Sequence, residues 1–482
     1  MTDYSTLETT PAVPEAGPMI ETLRAIGYSV ESAIADVIDN SISAGAKNVW
    51  IDFQYDGLNS WLSILDDGNG MSADQIVSAM KPGSQNPNEV RGIKDLGRFG
   101  LGLKTASFSQ CRLLTVFSAP AGGEAAYWSW DLDYVRETGK WNLVKYKPKV
   151  NFMTALTPLK SGTLIIWENM DRLVMNLHHD EAIALDKFLS VMKNVQQHLS
   201  MVFHRFIASG SVKIWMQKRE IKDWDPYMLG FDATQKFAVE PLYNGRVKIK
   251  GYVLPHKSKL TDAEFREGEG PKGWNAQQGF YIYRNERLLV AGDWLGLFRK
   301  EEHYKLARIM IDLPNTLDKE WQIDIRKSVA RAPLVLRENL KSYGTMVRNQ
   351  AVEVYRHKGK VLQRKFTSMQ FEPVWLEKVR HGKRFYEINR EHPLIREQEQ
   401  SAIRTVLRLL EESVPVPLIV LKESEEPDSF SRPFENAAST EITAMLKLVY
   451  ESLLKTNSEK DAKTRLHFIE PFNEYPELIE TL

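Results

Sequence analysis

Asp36-Val37-Ile38-Asp39-Asn40-Ser41-Ile42-Ser43-Ala44-Gly45-Ala46 is the stretch whose reading decides this chain. Val30, Ile34, Val37, Ile38 and Ile42 recur at helical spacing, which predicts a helix from Val30 to Ala44 that stops at Gly45. Asp36 and Asn40 lie four apart and therefore project from one face of it. A carboxylate that can orient water, one turn from an amide oxygen that can ligate a hard metal, suits Mg²⁺-dependent phosphate chemistry. Alone, such a pair is an ordinary solvated feature of a helix surface.

The next residues give the pair a context. An alternating strand at Val49, Ile51 and Phe53, a turn at Asp56-Gly57 and a strand Trp61 to Leu65 lead into Leu65-Asp66-Asp67-Gly68-Asn69-Gly70-Met71. Asp66 at a strand end can accept a hydrogen bond from an exocyclic amine, and Gly68 and Gly70 let a flat ring approach the backbone. By itself this segment also reads as a plain Asp-Gly turn. After a polar loop, Lys81 to Lys94, comes Gly97-Arg98-Phe99-Gly100-Leu101-Gly102-Leu103-Lys104-Thr105. Backbone amides of a glycine-rich turn at a helix start form an anion nest, to which Lys104 adds a point charge. The spacing is not that of G-x-x-x-x-G-K-S/T, and a loop precedes it, so neither a Walker loop nor a Rossmann unit fits. Finally Ser161-Gly162-Thr163 opens a strand to Trp167, where the Thr163 hydroxyl can reach the same ligand edge as Asp66.

In this order the four segments resemble the N-box, D-x-G-x-G box, G-x-x-G-x-G box and G-T box of the GHKL superfamily. That superfamily includes gyrase, histidine kinases, heat-shock-ninety chaperones, MutL and the MORC proteins. The resemblance covers about residues 20 to 170. It implies an α+β fold: a GHKL (Bergerat) α/β sandwich, then a transducer-like α/β domain and a mainly helical C-terminal region. It also implies that ATP and Mg²⁺ are the cofactors, with Asn40 holding Mg²⁺, Asp66 the adenine amine and Thr163 a bridging water or the ring edge. Gly68, Gly70 and Met71 complete the nucleotide contacts. Gly97, Arg98, Phe99, Gly100, Leu101, Gly102, Leu103 and Lys104 form the lid over the phosphates.

Several features resemble MutL and MORC in particular: the run Asp39 to Ala46, the lysine after the lid glycines, and Gly279 to Leu289, which is similar to the MORC transducer's strand-turn-strand. In Asp324-Ile325-Arg326-Lys327-Ser328, Lys327 stands where such transducers carry a lysine that reaches the γ-phosphate, with Arg326 its competitor. The family's base is usually glutamate, and here its position holds Asp36, one methylene shorter by ~1.5 Å. A misplacement of ~1 Å can cost on the order of a hundredfold in rate, so slow turnover is expected, with a non-hydrolysing ATP-sensing module as the alternative.

The resemblance further implies an ATP-dependent homodimer with the arm Met1 to Gly17 exchanged, acting as a clamp on DNA. It points to a bacterial restriction-like antiviral system with a helicase and a nuclease partner. No nuclease motif is visible here, so cutting falls to a partner. A chaperone of the heat-shock-ninety type is the second reading. A histidine kinase needs a phospho-acceptor histidine upstream of the N-box, and none precedes Asp36.

Bulk properties agree with a folded protein of two or three domains: 482 residues, 43% hydrophobic and 26% charged. Sixty-three basic residues balance sixty-three acidic ones, so net charge points to neither a nucleic-acid nor a membrane partner. The single cysteine, Cys111, reads as a buried thiol in a reducing compartment, and the polar N-terminus is no signal peptide. No apolar run reaches the ~20 residues of a membrane span, so a cytoplasmic location is expected. The expected divisions are an arm at 1–19, an ATP-binding domain at 20–210, a strand-rich transducer at 211–340 and a helical region at 341–482. A long helix is expected over Asp180 to Phe206 and another over Val335 to Tyr355. The basic clusters at 356–365 and 380–384 lie near Trp375, Phe385 and Tyr386 and can meet nucleic acid, although a solvated helix face is the plainer reading. His178-His179-Asp180-Glu181 is discounted as a metal site, because adjacent histidines face different ways.

Overall fold

Regular structure begins with α1 (Ala16–Arg24) and α2 (Val30–Ser43), the helix that carries Asp36 and Asn40. Ser29 caps α2 by accepting the Ser32 amide at 3.3 Å, and Gly45 follows its end at φ 79°, where a glycine relieves the left-handed backbone. The computed structural model describes residues 7–8, 10, 12, 14–83, 102–146, 155–174, 180–323, 330–355, 372–380, 383–396, 401–413 and 440–482. They fall into two compact units, Met1–Tyr355 and Arg356–Leu482.

In the first unit β1 (Asn48–Gln54) and β2 (Trp61–Asp66) pair antiparallel, followed by α3 (Ala73–Met80) and α4 (Gly102–Phe108). Then come β3 (Leu113–Ala119), β4 (Ala126–Asp131), α5 (Leu132–Thr138), β5 (Gly162–Glu168), α6 (Asp171–Val174), α7 (Glu181–Val202), α8 (His204–Ala208), β6 (Lys213–Met216) and β7 (Arg219–Glu220). The strands form one sheet in the order β4-β3-β5-β2-β1-β6-β7. Ile34, Val37 and Ile38 of α2, Phe108 of α4 and Phe188 and Val195 of α7 share a buried core with Val49, Ile51, Leu62 and Ile64 of the sheet. Helices on a sheet face bury the apolar stripe of each element against the other, which makes this layer an α+β sandwich.

A second sheet follows: β8 (Gln235–Lys236), β9 (Glu240–Leu242), β10 (Val247–Val253), α9 (Asp262–Glu269), β11 (Gly279–Arg284), β12 (Arg287–Asp293) and β13 (Ala307–Leu313). Its order is β12-β11-β13-β10-β8, with β9 also on β10. The unit ends in α10 (Arg337–Tyr355). Tyr252, Tyr281, Tyr283 and Leu288 of this sheet belong to the same buried cluster as α2 and α7, so the two sheets are joined by a continuous apolar core.

Three expectations need correction. The helix expected over Asp180 to Phe206 breaks at Phe203 into α7 and α8, because the turn there lets His204 meet the Tyr283 hydroxyl at 2.8 Å on the second sheet. The boundary expected at 340/341 falls inside α10, whose Leu340, Tyr343, Val347 and Ala351 are buried in the core of the second sheet. The arm expected at 1–19 already includes the first turn of α1, anchored by Ala16 and Ile20.

The second unit holds helices at Ser401–Glu412, Thr440–Leu454, Glu459–Leu466 and Pro476–Glu480, with Leu446, Val449, Leu466, Ile469 and Phe472 in its core. It also contains an antiparallel strand pair, Trp375–Arg380 with Lys383–Ile388, so Arg380, Lys383 and Arg384 of the basic cluster lie on strands and not on a helix. The cluster at 356–365 and the pair His178-His179 lie outside the described residues.

Candidate functional site

Asp66 ends β2 beside Thr163 of β5, its register partner. Its carboxylate is buried, accepting the Ser41 hydroxyl at 2.7 Å on Oδ2 and the Gly68 amide at 2.9 Å on Oδ1. Burial pushes the Asp66 carboxyl up from its ordinary value, and the hydrogen bonds from Ser41, Gly68 and Thr163 pull the other way. The loop after it is tied on every side. Asn69 donates its amide to the Ala44 carbonyl at 3.0 Å, the Ser161 hydroxyl donates to the Gly68 carbonyl at 2.7 Å, and Met71 donates its amide to the Ser118 hydroxyl at 2.8 Å. Ser118 also reaches the Thr163 hydroxyl at 2.8 Å. Gly70 has φ 67°, and a Cβ there would lie 2.0 Å from the Ala119 carbonyl oxygen, so no side chain fits. Asp67 plays a different part: its carboxylate accepts the Lys47 and Asn48 amides at 2.7 and 2.8 Å and clamps the turn before β1.

Along α2, Asn40 is exposed whereas Asp36 is buried, one turn apart on the same helix. The Tyr28 hydroxyl donates to Asp36 Oδ2 at 2.9 Å. Arg287 of β12 lies 3.8 Å from Asp36 Oδ1, and its Nε donates to Asp39 at 2.9 Å. Gly102, the first residue of α4, comes so near that a Cβ on it would stand 3.6 Å from Asp36 Oδ2. The structure therefore brings together Asp36, Asn40, Asp66, Gly68, Gly70, Met71, Gly102 and Thr163. Leu103 packs against the core. Gly97, Arg98, Phe99, Gly100, Leu101, Arg326 and Lys327 lie outside the described residues.

Lys104 is placed beneath α3, where its ammonium donates to the Ala79 carbonyl at 2.9 Å. Burial lowers its pKa from 10.5 to about 8. Between those values the unfolded chain keeps a proton that the folded chain has lost, so stability should rise with pH from about 8 towards 10.5. Lys104→Met is expected to flatten that rise by on the order of 2–4 °C in melting temperature. Melting curves near pH 7.5 and 9.5 measure it, and equal slopes in both proteins would count against it.

Tyr28, Ser41, Ser118 and Arg287 were not singled out from the sequence as site residues. Ser41 and Ser161 adjoin motif residues, and that adjacency was their only signal. Cys111 is buried as expected, its thiol donating to the Ser107 carbonyl at 3.3 Å and pushed far up by burial.

A buried acceptor at a strand end, a carboxylate and an exposed amide on one helix, and the glycine loop Gly68 to Gly70 are thus held within one α+β sandwich. Residues 28–163 match the family described as histidine kinase-, DNA gyrase B- and HSP90-like ATPases. This stretch is a GHKL-family ATPase domain. More particularly it is similar to MORC and MutL proteins. ATPase morc-1 of Caenorhabditis elegans is 32% identical over 91 residues, 19% of this chain and 10% of that protein. MORC family CW-type zinc finger protein 3 of Mus musculus is 32% identical over 89 residues, 18% of this chain and 9% of that protein. The DNA mismatch repair protein MutL of Pseudomonas fluorescens is 31% identical over 117 residues, 23% of this chain and 18% of that protein. The chain thus spans less than a fifth of the length of each of these relatives. No described helix is long and apolar enough to cross a membrane.

Proposed function

We propose that the chain is a Mg²⁺-dependent ATP hydrolase that works as a conformational clamp on DNA. The observation that carries this reading is the pairing of two separately built acids. Asp66 is fixed as an acceptor at the end of β2 by Ser41 and Gly68, and Asp36 lies on α2 facing Gly102 at the start of α4. In this reading Asp66 takes the adenine amine, with Gly68, Gly70, Met71 and Thr163 around the ring. Asn40, exposed on the same helix as Asp36, suits Mg²⁺ as a hard oxygen ligand, and the ion would shield the phosphate charges. Asp36 orients the attacking water. The lid residues Gly97 to Gly102 wrap the phosphates, and Lys327 reaches the γ-phosphate, so ATP and ADP make different contacts. Two ATP-bound protomers close on each other.

DNA as the object of the clamp is supported by the MutL relative, whose name records DNA mismatch repair. A restriction-like antiviral setting with helicase and nuclease partners is the biological context we propose for it. The test is steady-state hydrolysis of Mg²⁺-ATP by the purified chain with and without duplex DNA. Slow turnover that duplex DNA raises severalfold is the expected result. ATP binding without turnover, DNA present or not, would replace the hydrolase by a nucleotide-sensing module.

A further inference from the structure

The hairpin β11–β12 turns through Asn285 and Glu286, both at positive φ (48° and 67°), as a tight two-residue hairpin turn requires. Its two flanking residues are buried arginines that reach in different directions. Arg284 donates through Nε to Asp318 at 2.8 Å, within the second sheet's own layer. Arg287 reaches the nucleotide-binding layer: its Nε donates to Asp39 at 2.9 Å, and Nη2 lies 3.8 Å from Asp36 Oδ1. At the turn itself Glu286 accepts from Arg205 of α8 at 3.1 Å. Behind Arg287, burial and the arginine's own charge drive His198 of α7 down to about 3, so that imidazole is neutral and supplies no charge.

We propose that Arg287 is a positioning residue for Asp36, through which the seating of the second sheet sets the aim of the water-directing carboxylate. The proposal rests on the hydrolase reading above. Asp36 is held from two sides: Tyr28, from the loop before α2, fixes Oδ2, and Arg287, from the second sheet, faces Oδ1. Asp39 anchors the guanidinium between them. A buried ion pair contributes little net stability, because desolvation of both charges offsets their attraction, whereas breaking one side of it is costly. What this pair supplies is geometry. A shift of the β11–β12 hairpin relative to α2 drags the guanidinium with it and turns the Asp36 carboxylate. Closure of the second sheet and aim of the base are then one motion.

Arg287→Gln alone would leave the buried Asp39 carboxylate without its guanidinium and can fail to fold, so the decisive variant is Asp39→Asn/Arg287→Gln, which removes both charges together. Arg287→Lys is its companion. The measurements are kcat and KM for Mg²⁺-ATP, and hydrogen exchange of the α2 amides without nucleotide. In the double variant kcat should fall about 10- to 100-fold with KM changed less than about threefold. Exchange at 36–43 should quicken while β3 and β5 stay protected. Arg287→Lys should recover part of kcat. Unchanged kcat with unchanged α2 exchange, or exchange raised throughout the sheet, overturns the positioning role. If the unaltered chain hydrolyses no ATP, the hydrolase reading fails, and the exchange pattern alone decides whether Arg287 orders α2.

Discussion

Asp36→Asn is expected to lower ATP turnover by roughly 10²- to 10⁴-fold, the usual contribution of a positioned general base, while nucleotide affinity changes less than about threefold. The amide has the shape of the carboxylate, so it can still receive the Tyr28 hydroxyl that now lies 2.9 Å from Oδ2. It cannot take a proton from water. Asn40, Asp66 and the loop from Gly68 to Met71 are untouched, which is why binding should persist. Single-turnover hydrolysis beside equilibrium binding of a fluorescent ATP analogue separates the two effects. Turnover equal to that of the unaltered chain would remove Asp36 from the role of base.

Asp66→Asn should act on binding instead, weakening ATP by about 10- to 100-fold or more. Both carboxylate oxygens are already used as acceptors, by Ser41 at 2.7 Å and Gly68 at 2.9 Å. An amide puts a donor against one of them, and leaving a buried donor unsatisfied costs about 1–3 kcal/mol. The side chain must then turn, and the adenine amine loses its acceptor. Guanine, with a carbonyl where adenine has its amine, is the control: the unaltered chain should prefer ATP to GTP, and Asp66→Asn should erase most of that preference. Titration calorimetry with both nucleotides gives the answer. Undiminished ATP affinity would mean that the adenine sits elsewhere.

Much of this site was legible because its parts are local. Asp36 and Asn40 share a helix face through the 3.6-residue period, and Asp66 and Thr163 announce themselves at strand ends beside glycines. The partners were not legible, because each comes from far along the chain. Ser41 meets Asp66 across 25 residues, Met71 meets Ser118 across 47, and Arg287 meets Asp39 across 248. No periodicity encodes such a meeting. One local signal marks α3 as well: Ser72-x-x-Gln75 is a capping box, with Gln75 accepting the Ser72 amide at 2.8 Å. The basic cluster at 380–384 hid a strand pair, since lysines and arginines look the same in sequence on a strand as on a helix.

The α+β class, the helix that holds the acid and the amide, and the loop that only a glycine can make at Gly70 follow from local pattern alone. Hydrophobic period and backbone sterics act within a few residues and survive as pattern. The tertiary structure decided that the Lys104 ammonium closes α3, that α10 belongs to the second sheet, and that Arg287 stands between Asp39 and Asp36. Burial and charge pairing depend on which distant segments share a core, and that is set only when the two sheets pack together.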